Sequence, residues 1–260
     1  MDINAQTSFF SIDDHTALTR VRLLSAEAQP DRGIAAVAER MQRLQRLLMH
    51  RLIAGGSPLQ PCWERAQQVV PMSFASAAPI DGFAFAFTRT QAQAAAIERM
   101  MGRCGSTDAA RHPVLEVRLT PDYFVTEIIV SPMARLDQRN LMGKLRLERH
   151  RAALRGLLAQ GCGMLRLGFW HGETLNDSHL TCEELLRGDI LSRWFSTFAP
   201  EHEWLRIGVW LEPGARCIET ELSHFVMLLS RIYTFFAWTS GNNFQQPDSG
   251  SCSVSPEPVL

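Results

Sequence analysis

From Ile34 to Ile53 the apolar residues Ile34, Val37, Met41, Leu44, Leu48 and Leu52 recur at steps of three and four, with Glu39, Arg40, Arg43 and Arg46 between them. That spacing lines one face of a helix with apolar side chains and predicts an amphipathic N-terminal helix. It should stop at Gly55-Gly56-Ser57-Pro58, because glycine accepts the left-handed cap and proline cannot continue the ladder. Residues 1–33 combine the Phe9-Phe10 pair with many polar residues and no sustained period. They are expected to form an irregular, loosely packed lead-in.

Beyond a proline-rich connection, Gly82 to Arg89 reads as an apolar strand and Gln91 to Met101 as an alanine-rich helix ending near Gly102. Val114 to Leu119 and Tyr123 to Val130 are two runs of strand formers joined by the turn Thr120-Pro121-Asp122, which predicts a β-hairpin. A basic stretch from Arg135 to Arg151 then leads into a helix with Leu154, Leu157 and Leu158 facing inward. Met164 to Trp170 is the next strand, followed by a polar loop and a helix from Glu183 to Phe198, whose Thr181 and Glu184 fit a capping box. Trp204 to Leu211 alternates as a strand, with Leu205, Ile207 and Val209 on one side and Trp204, Arg206 and Trp210 on the other. Glu219 to Trp238 makes the last long helix.

Strands separated by helices, with one hairpin, predict an α+β fold: a mixed sheet with helices packed on it. A single domain over residues 34–238 is expected. The tail, residues 239–260, is rich in Ser, Gly, Pro, Asn and Gln and is predicted to be disordered. Its one aromatic side chain, Phe244, is the natural anchor if the tail docks.

Composition narrows the class. The 260 residues are 46% hydrophobic, enough to bury a sizeable core, and 26 Lys plus Arg against 27 Asp plus Glu leave a net charge of −1. Nothing in that balance attracts nucleic acid or anionic lipid globally, so nucleic acid is an unlikely partner. The first residues lack a secretory pattern, and the longest apolar run, Phe225 to Trp238, is too short to cross a bilayer. The six cysteines stand singly, as in a reduced cytoplasmic protein.

From about Cys62 to Pro213 the order of elements resembles the YktB-like family of small bacterial α+β proteins. A lead-in helix followed by the strand bearing Phe85-Ala86-Phe87 carries that likeness, with the hairpin Pro113 to Val130, the helix after it and the strand Leu165 to Trp170. The resemblance implies the α+β fold and a bacterial cytosolic setting. That family has no assigned activity, so no catalytic residue carries over.

Two polar clusters could carry chemistry. His171, Glu173, Asp177 and His179 fall within nine residues of one loop, a donor set suited to zinc or to an acid/base pair. The same residues equally suit a turn at Asn176-Asp177 and capping by Ser178 to Thr181. The second cluster, Arg135, Arg139, Lys144, Arg146 and Arg149, makes a local basic surface that could grip an anion through bidentate arginine contacts. A basic face on an exposed helix also serves simply to be solvated.

Glu116, Asp122 and Glu127 are too sparse for a metal-dependent nuclease core, and Asp122 reads as a turn residue. Cys162 between two glycines has no partner base, and no Walker, dinucleotide or G-x-S-x-G motif is present. The tryptophans read as core. The sequence therefore favours a non-enzymatic protein binding a protein partner or a small anionic ligand, with no cofactor indicated. The competing reading is a metal-assisted hydrolase or nuclease built on the 171–179 loop.

Overall fold

The computed structural model of the chain describes residues 8–24, 32–64, 69–74, 79–103, 108–161, 163–169 and 179–244. The helices are α1 (Ile12–Leu24), α2 (Arg32–Ala54), α3 (Gln91–Met100), α4 (Arg135–Leu145), α5 (Glu148–Ala159), α6 (Cys182–Leu185), α7 (Ile190–Ser196) and α8 (Glu219–Phe236). The strands are β1 (Gln60–Pro61), β2 (Val70–Met72), β3 (Pro79–Thr88), β4 (Val114–Leu119), β5 (Phe124–Val130), β6 (Leu165–Gly168), β7 (Leu180–Thr181) and β8 (Leu205–Leu211). They form one sheet in the order β1-β3-β4-β5-β8-β6-β7, with β2 also on β3.

The α+β class anticipated from pattern is present, and the predicted hairpin, β4-β5, shares its sheet with β8 and β6. The sheet departs from expectation in direction. Every pairing among the described strands is antiparallel, where alternation of strands with helices had suggested a mixed sheet. The reason lies in the path after β5. Helices α4 and α5 carry the chain out to β6, and β8 returns later to fill the gap between β5 and β6.

Register and alternation give the two faces opposite characters. Phe87, Leu115, Ile128, Ile207 and Leu167 lie side by side across five strands, and the row Phe85, Val117, Thr126, Val209 and Leu165 shares that face. This face meets Met41, Leu44 and Leu48 of α2 and Val226, Leu229 and Phe236 of α8 in the main core. On the opposite face Ala86, Glu116, Glu127, Gly208 and Arg166 form one row, and Ala84, Arg118, Val125 and Trp210 the next.

That second face buries four charges. Arg118 Nη1 donates to Glu116 Oε1 at 2.6 Å and to Ser73 Oγ at 3.0 Å, while Glu116 Oε2 accepts from the Phe74 amide at 2.6 Å. Arg206 holds Glu127 with two donors, its Nε at 2.9 Å, and the Trp210 indole N–H reaches Glu127 Oε2 at 3.2 Å. Arg118 Nη2 lies 3.2 Å from Glu127 and links the two pairs. Both guanidinium groups stand over the Trp210 ring, at 4.9 and 5.3 Å. Gly208 makes room for this: a Cβ there would sit 2.3 Å from Glu127 Cβ and 2.5 Å from the Thr126 carbonyl oxygen.

Two helices were invisible to periodicity. The inward side of α1 presents Asp14, His15 and Leu18, so no apolar stripe marks it. Asp14 accepts from the Ser11 amide and pairs with Arg40 of α2 at 2.6 Å, and His15 Nδ1 bonds the Thr120 carbonyl at 2.7 Å. Residues 12–24 are therefore a docked helix, not an irregular lead-in. The basic stretch from Arg135 is itself helix α4, whose inward side carries Asp137, Gln138, Asn140 and Lys144. The predicted helix from Glu183 to Phe198 is divided into α6 and α7 at Gly188, whose φ of 53° interrupts the helical path. The Thr181–Glu184 capping box is present as anticipated.

Removing one member of a buried charge network exposes the cost of desolvating the others. Glu127→Gln should lower unfolding stability by about 3–5 kcal/mol, measured by urea denaturation. A loss below about 1 kcal/mol, the range of surface ion pairs, would mean the network is not buried in solution.

Candidate functional site

The loop expected to hold an acid/base or metal set is only partly in view. His171, Glu173 and Asp177 lie outside the described residues. His179 does not stand open: Arg166 Nη1 donates to its Nε2 at 2.8 Å, so that ring nitrogen accepts and its lone pair is engaged. Among the described residues no group of three or more His, Cys, Asp or Glu side chains is placed to hold a metal ion. Glu116 and Glu127 do face each other across the hairpin, yet each is taken up by an arginine.

The basic segment divides along α4. Arg135 and Arg139 reach solvent and both pair with Glu201, Arg139 at 2.5 Å. Arg146 and Arg149 are exposed, as predicted. Lys144 corrects the expectation that the whole cluster faces solvent: it is 6% exposed. Its Nζ donates to the Phe235 carbonyl at the end of α8 and to the Asn242 side chain, and burial lowers its pKa.

Lys144 belongs to a polar clamp that pattern analysis did not detect. A helix leaves its last carbonyls without intrahelical donors, and at the end of α8 side chains take them up. Asn242 Nδ2 donates to the Thr234 and Ala237 carbonyls at 2.7 and 3.0 Å, and Asn140 Nδ2 to the Phe236 carbonyl at 2.7 Å. The Lys144 cation sits where the helix dipole favours positive charge. Asn140 also donates to the Asn242 carbonyl and accepts from the Phe244 amide, and the Phe244 ring lies against Gly143, where a Cβ would come within 2.3 Å. Residues 239–244 are thus docked, in contrast to the disorder expected from Thr239 onward, and Phe244 is part of the anchor. Residues 245–260 lie outside the described part.

This docked strap, α3 and the end of α8 enclose a cavity of about 360 Å³. Its walls are mostly apolar: Pro58, Ala96, Ile97, Met100, Ala237 and Trp238. Its polar end is formed by Arg89, just after β3, and Tyr233 of α8, which are 4% and 2% exposed. Arg89 Nη2 is bonded to Asp137 of α4, and its Nη1 donates to the Trp238 carbonyl at 3.1 Å. Asp137 Oδ1 also accepts from the Trp238 amide at 2.7 Å. The Tyr233 hydroxyl lies against the Arg89 guanidinium and Thr88.

Burial opposes the charge on Arg89, but the Asp137 carboxylate and the Tyr233 hydroxyl together outweigh it and hold the guanidinium more firmly protonated than usual. Burial pushes Asp137 above the ordinary carboxylate range, against the pull of Arg89 and the Trp238 amide. The Tyr233 phenol is likewise raised by burial, and it stays a neutral O–H. The groups meeting Asp137 are donors, the set an ionised carboxylate requires.

Behind α3, His112 is 1% exposed, and neither ring nitrogen has a hydrogen-bond partner among the described residues. Its Nε2 is 3.8 Å from Glu98 Oε1. Burial, with Arg89, Arg111 and Arg103 nearby, pushes its pKa down to about 3.

No protein-family model and no curated protein sequence matches this chain. No described helix is long and apolar enough to cross a membrane.

Asn242→Ala should cost about 1–3 kcal/mol, because it strips donors from carbonyls that are otherwise left without partners. Thermal melting should fall by several degrees. An unchanged melting temperature would show that the strap does not hold the end of α8.

His112 makes stability depend on acidity. With a folded pKa near 3 and an unfolded value near 6.5, the unfolded chain binds more protons throughout that window. The stability associated with neutral His112 is full above pH 6.5 and is lost as pH falls toward 3. His112→Gln should flatten the decline between pH 7 and pH 5 in denaturant titrations. An identical slope in both proteins would remove His112 as its source.

Proposed function

We propose that this chain is a binding protein for a small molecule with a largely apolar body, seated in the cavity between α3, α8 and the strap. One observation carries the reading: a cavity of about 360 Å³ with mostly apolar walls lies between α3, the end of α8 and the strap, with the buried residues Arg89 and Tyr233 at one end. Sites for small molecules combine apolar lining with a few convergent polar groups, and this volume falls in their usual range of about 300–1,000 Å³.

The proposal moves ligand binding from the exposed arginines of the basic segment to the cavity, where apolar contact and desolvation add to the polar contacts. A bacterial cytosolic setting is part of the reading, drawn from the YktB-like resemblance and from six cysteines that stand singly in the sequence.

The test uses a library of small aromatic fragments scored by the rise they cause in melting temperature. Ala96 is exposed on α3 yet lines the cavity mouth, so Ala96→Trp should fill the entrance without disturbing the core. Fragments that stabilise the native protein should lose that effect in Ala96→Trp. If the two proteins respond alike, ligands bind elsewhere and the proposal fails.

A further inference from the structure

Met227, Arg231, Thr234 and Trp238 recur at steps of three and four residues, so they share one side of α8 and its end. Two hollows lie along that side. One is the cavity between α3, α8 and the strap; the other, of about 400 Å³, lies between the turn after α2, Leu157 of α5 and α8. Pro58 and Thr234 belong to the walls of both, so the two hollows meet there. From Arg231 to Ala237 the chain advances about 9 Å along the helix axis, and a ligand that occupies both hollows must be long and narrow.

Polarity is distributed unevenly along this groove. At the cavity end Arg89 is matched by Asp137, and the Tyr233 hydroxyl lies against Arg89 and Thr88, so nothing there calls for a polar group on a ligand. A charge buried beside that neutral pair would lack a counter-ion. Hydrocarbon fits, because Ile97, Met100, Ala237 and Trp238 wall this end.

The second hollow carries Arg231, which is exposed. A guanidinium offers five N–H donors in a planar fork. Arg231 Nη1 donates to the neutral Gln160 Oε1 at 2.7 Å, and among the described residues no carboxylate pairs with it. The last carbonyls of α2 beside it do not draw on it either, since those of Arg51, Leu52 and Ile53 accept from the amides of Gly55, Ser57 and Gly56. The described walls of both hollows contain no Asp or Glu. The groove thus runs from an apolar, charge-neutral end to an exposed cation with donors to spare.

Resting on the binding reading above, we infer that the ligand is an amphipathic carboxylate of the fatty-acid type. Its hydrocarbon tail fills the cavity, the chain crosses between Pro58 and Thr234, and the carboxylate pairs with Arg231 at the solvent end. There the head group stays partly hydrated, so the penalty of burying an ion is avoided. One guanidinium matches one negative charge, which favours a carboxylate over a phosphate dianion.

Three probes separate the possibilities: hexanol, decanol and decanoate, titrated at pH 7 into the full chain by calorimetry, below the concentration at which decanoate forms micelles. Hexanol fills the cavity alone. Decanol should bind at least about tenfold more tightly than hexanol, because its further methylenes are buried along the groove. Decanoate should exceed decanol by about fivefold, the strength of a well-formed exposed ion pair. In Arg231→Gln that advantage should vanish while decanol is unchanged, and in the native protein it should shrink as salt is raised. Thr234→Trp should fill the crossing and bring decanol down to the level of hexanol. Arg231 and Thr234 are exposed, so both variants should melt with the native protein; should the Arg231 variant melt lower, the salt series decides.

Decanol binding as tightly as decanoate, or an advantage that survives Arg231→Gln, would overturn the carboxylate assignment. Decanol no tighter than hexanol would overturn the continuous groove. In each case hexanol binding that is lost in Ala96→Trp leaves the cavity reading standing. If none of the three probes binds while aromatic fragments still act through the Ala96 entrance, the fatty-acid class is wrong. If neither probes nor fragments bind there, the proposed function falls with it.

Discussion

Asp137 joins the parts of the molecule that would otherwise have no reason to meet. It lies on the inward side of α4, receives Arg89 from the end of β3 and receives the Trp238 amide just beyond α8. Those contacts fix the sheet edge, the last helix and the strap in one arrangement, and the cavity is the space they leave beside α3. A carboxylate at this position is stable only because its donors arrive together: a buried ion pair with one member missing is worse than no pair at all. The cavity's polar end therefore follows from the way the fold is fastened. Arg89 is held by Asp137 and the Trp238 carbonyl through its two terminal nitrogens.

The same device recurs at three places. The inward sides of α1 and α4 and the second face of the sheet are lined with Asp14, His15, Asp137, Gln138, Asn140, Glu116, Arg118, Glu127 and Arg206, all buried. Each of these groups reaches backbone or a countercharge on a distant segment, so they act as directional fasteners, whereas the apolar core is non-directional. Gln138 shows the pattern on a small scale: its amide donates to the Ser131 and Glu203 carbonyls at 3.0 Å and accepts from the Glu201 amide, fixing the turn that enters β8.

That pattern also explains what could be read from the residues alone. Where burial is apolar the sequence was legible: α2, α8, the hairpin and β8 all lie within a few residues of their predicted bounds, because Leu, Ile and Val at the right period leave few alternatives. Alternation even placed Arg206 and Trp210 on the face opposite Leu205 and Val209. Where burial is polar, periodicity points the wrong way. Helix α1 has no apolar stripe, and Lys144 looked like one more cation on a solvated helix although it caps α8. The cavity was not legible at all, since Arg89, Asp137 and the Tyr233–Trp238 stretch come from three distant parts of the chain and share no motif. A signal existed in the hairpin, where Glu116, Arg118 and Glu127 stand on one side of strands otherwise made of Val, Leu and Ile, but without the register their partners could not be named.

The two buried charge systems differ in one respect that bears on function. On the sheet, carboxylates, guanidinium groups, Ser73 and the Trp210 indole are joined through several mutual contacts, and Gly208 gives up its side chain so that they can close together. Such a lattice rigidifies the sheet. At the cavity a single pair stands instead: Asp137 and Arg89 are matched in charge, and the Tyr233 hydroxyl lies against Arg89 and Thr88. A charged ligand entering beside that neutral pair would bring a charge with no counter-ion, which is costly to bury.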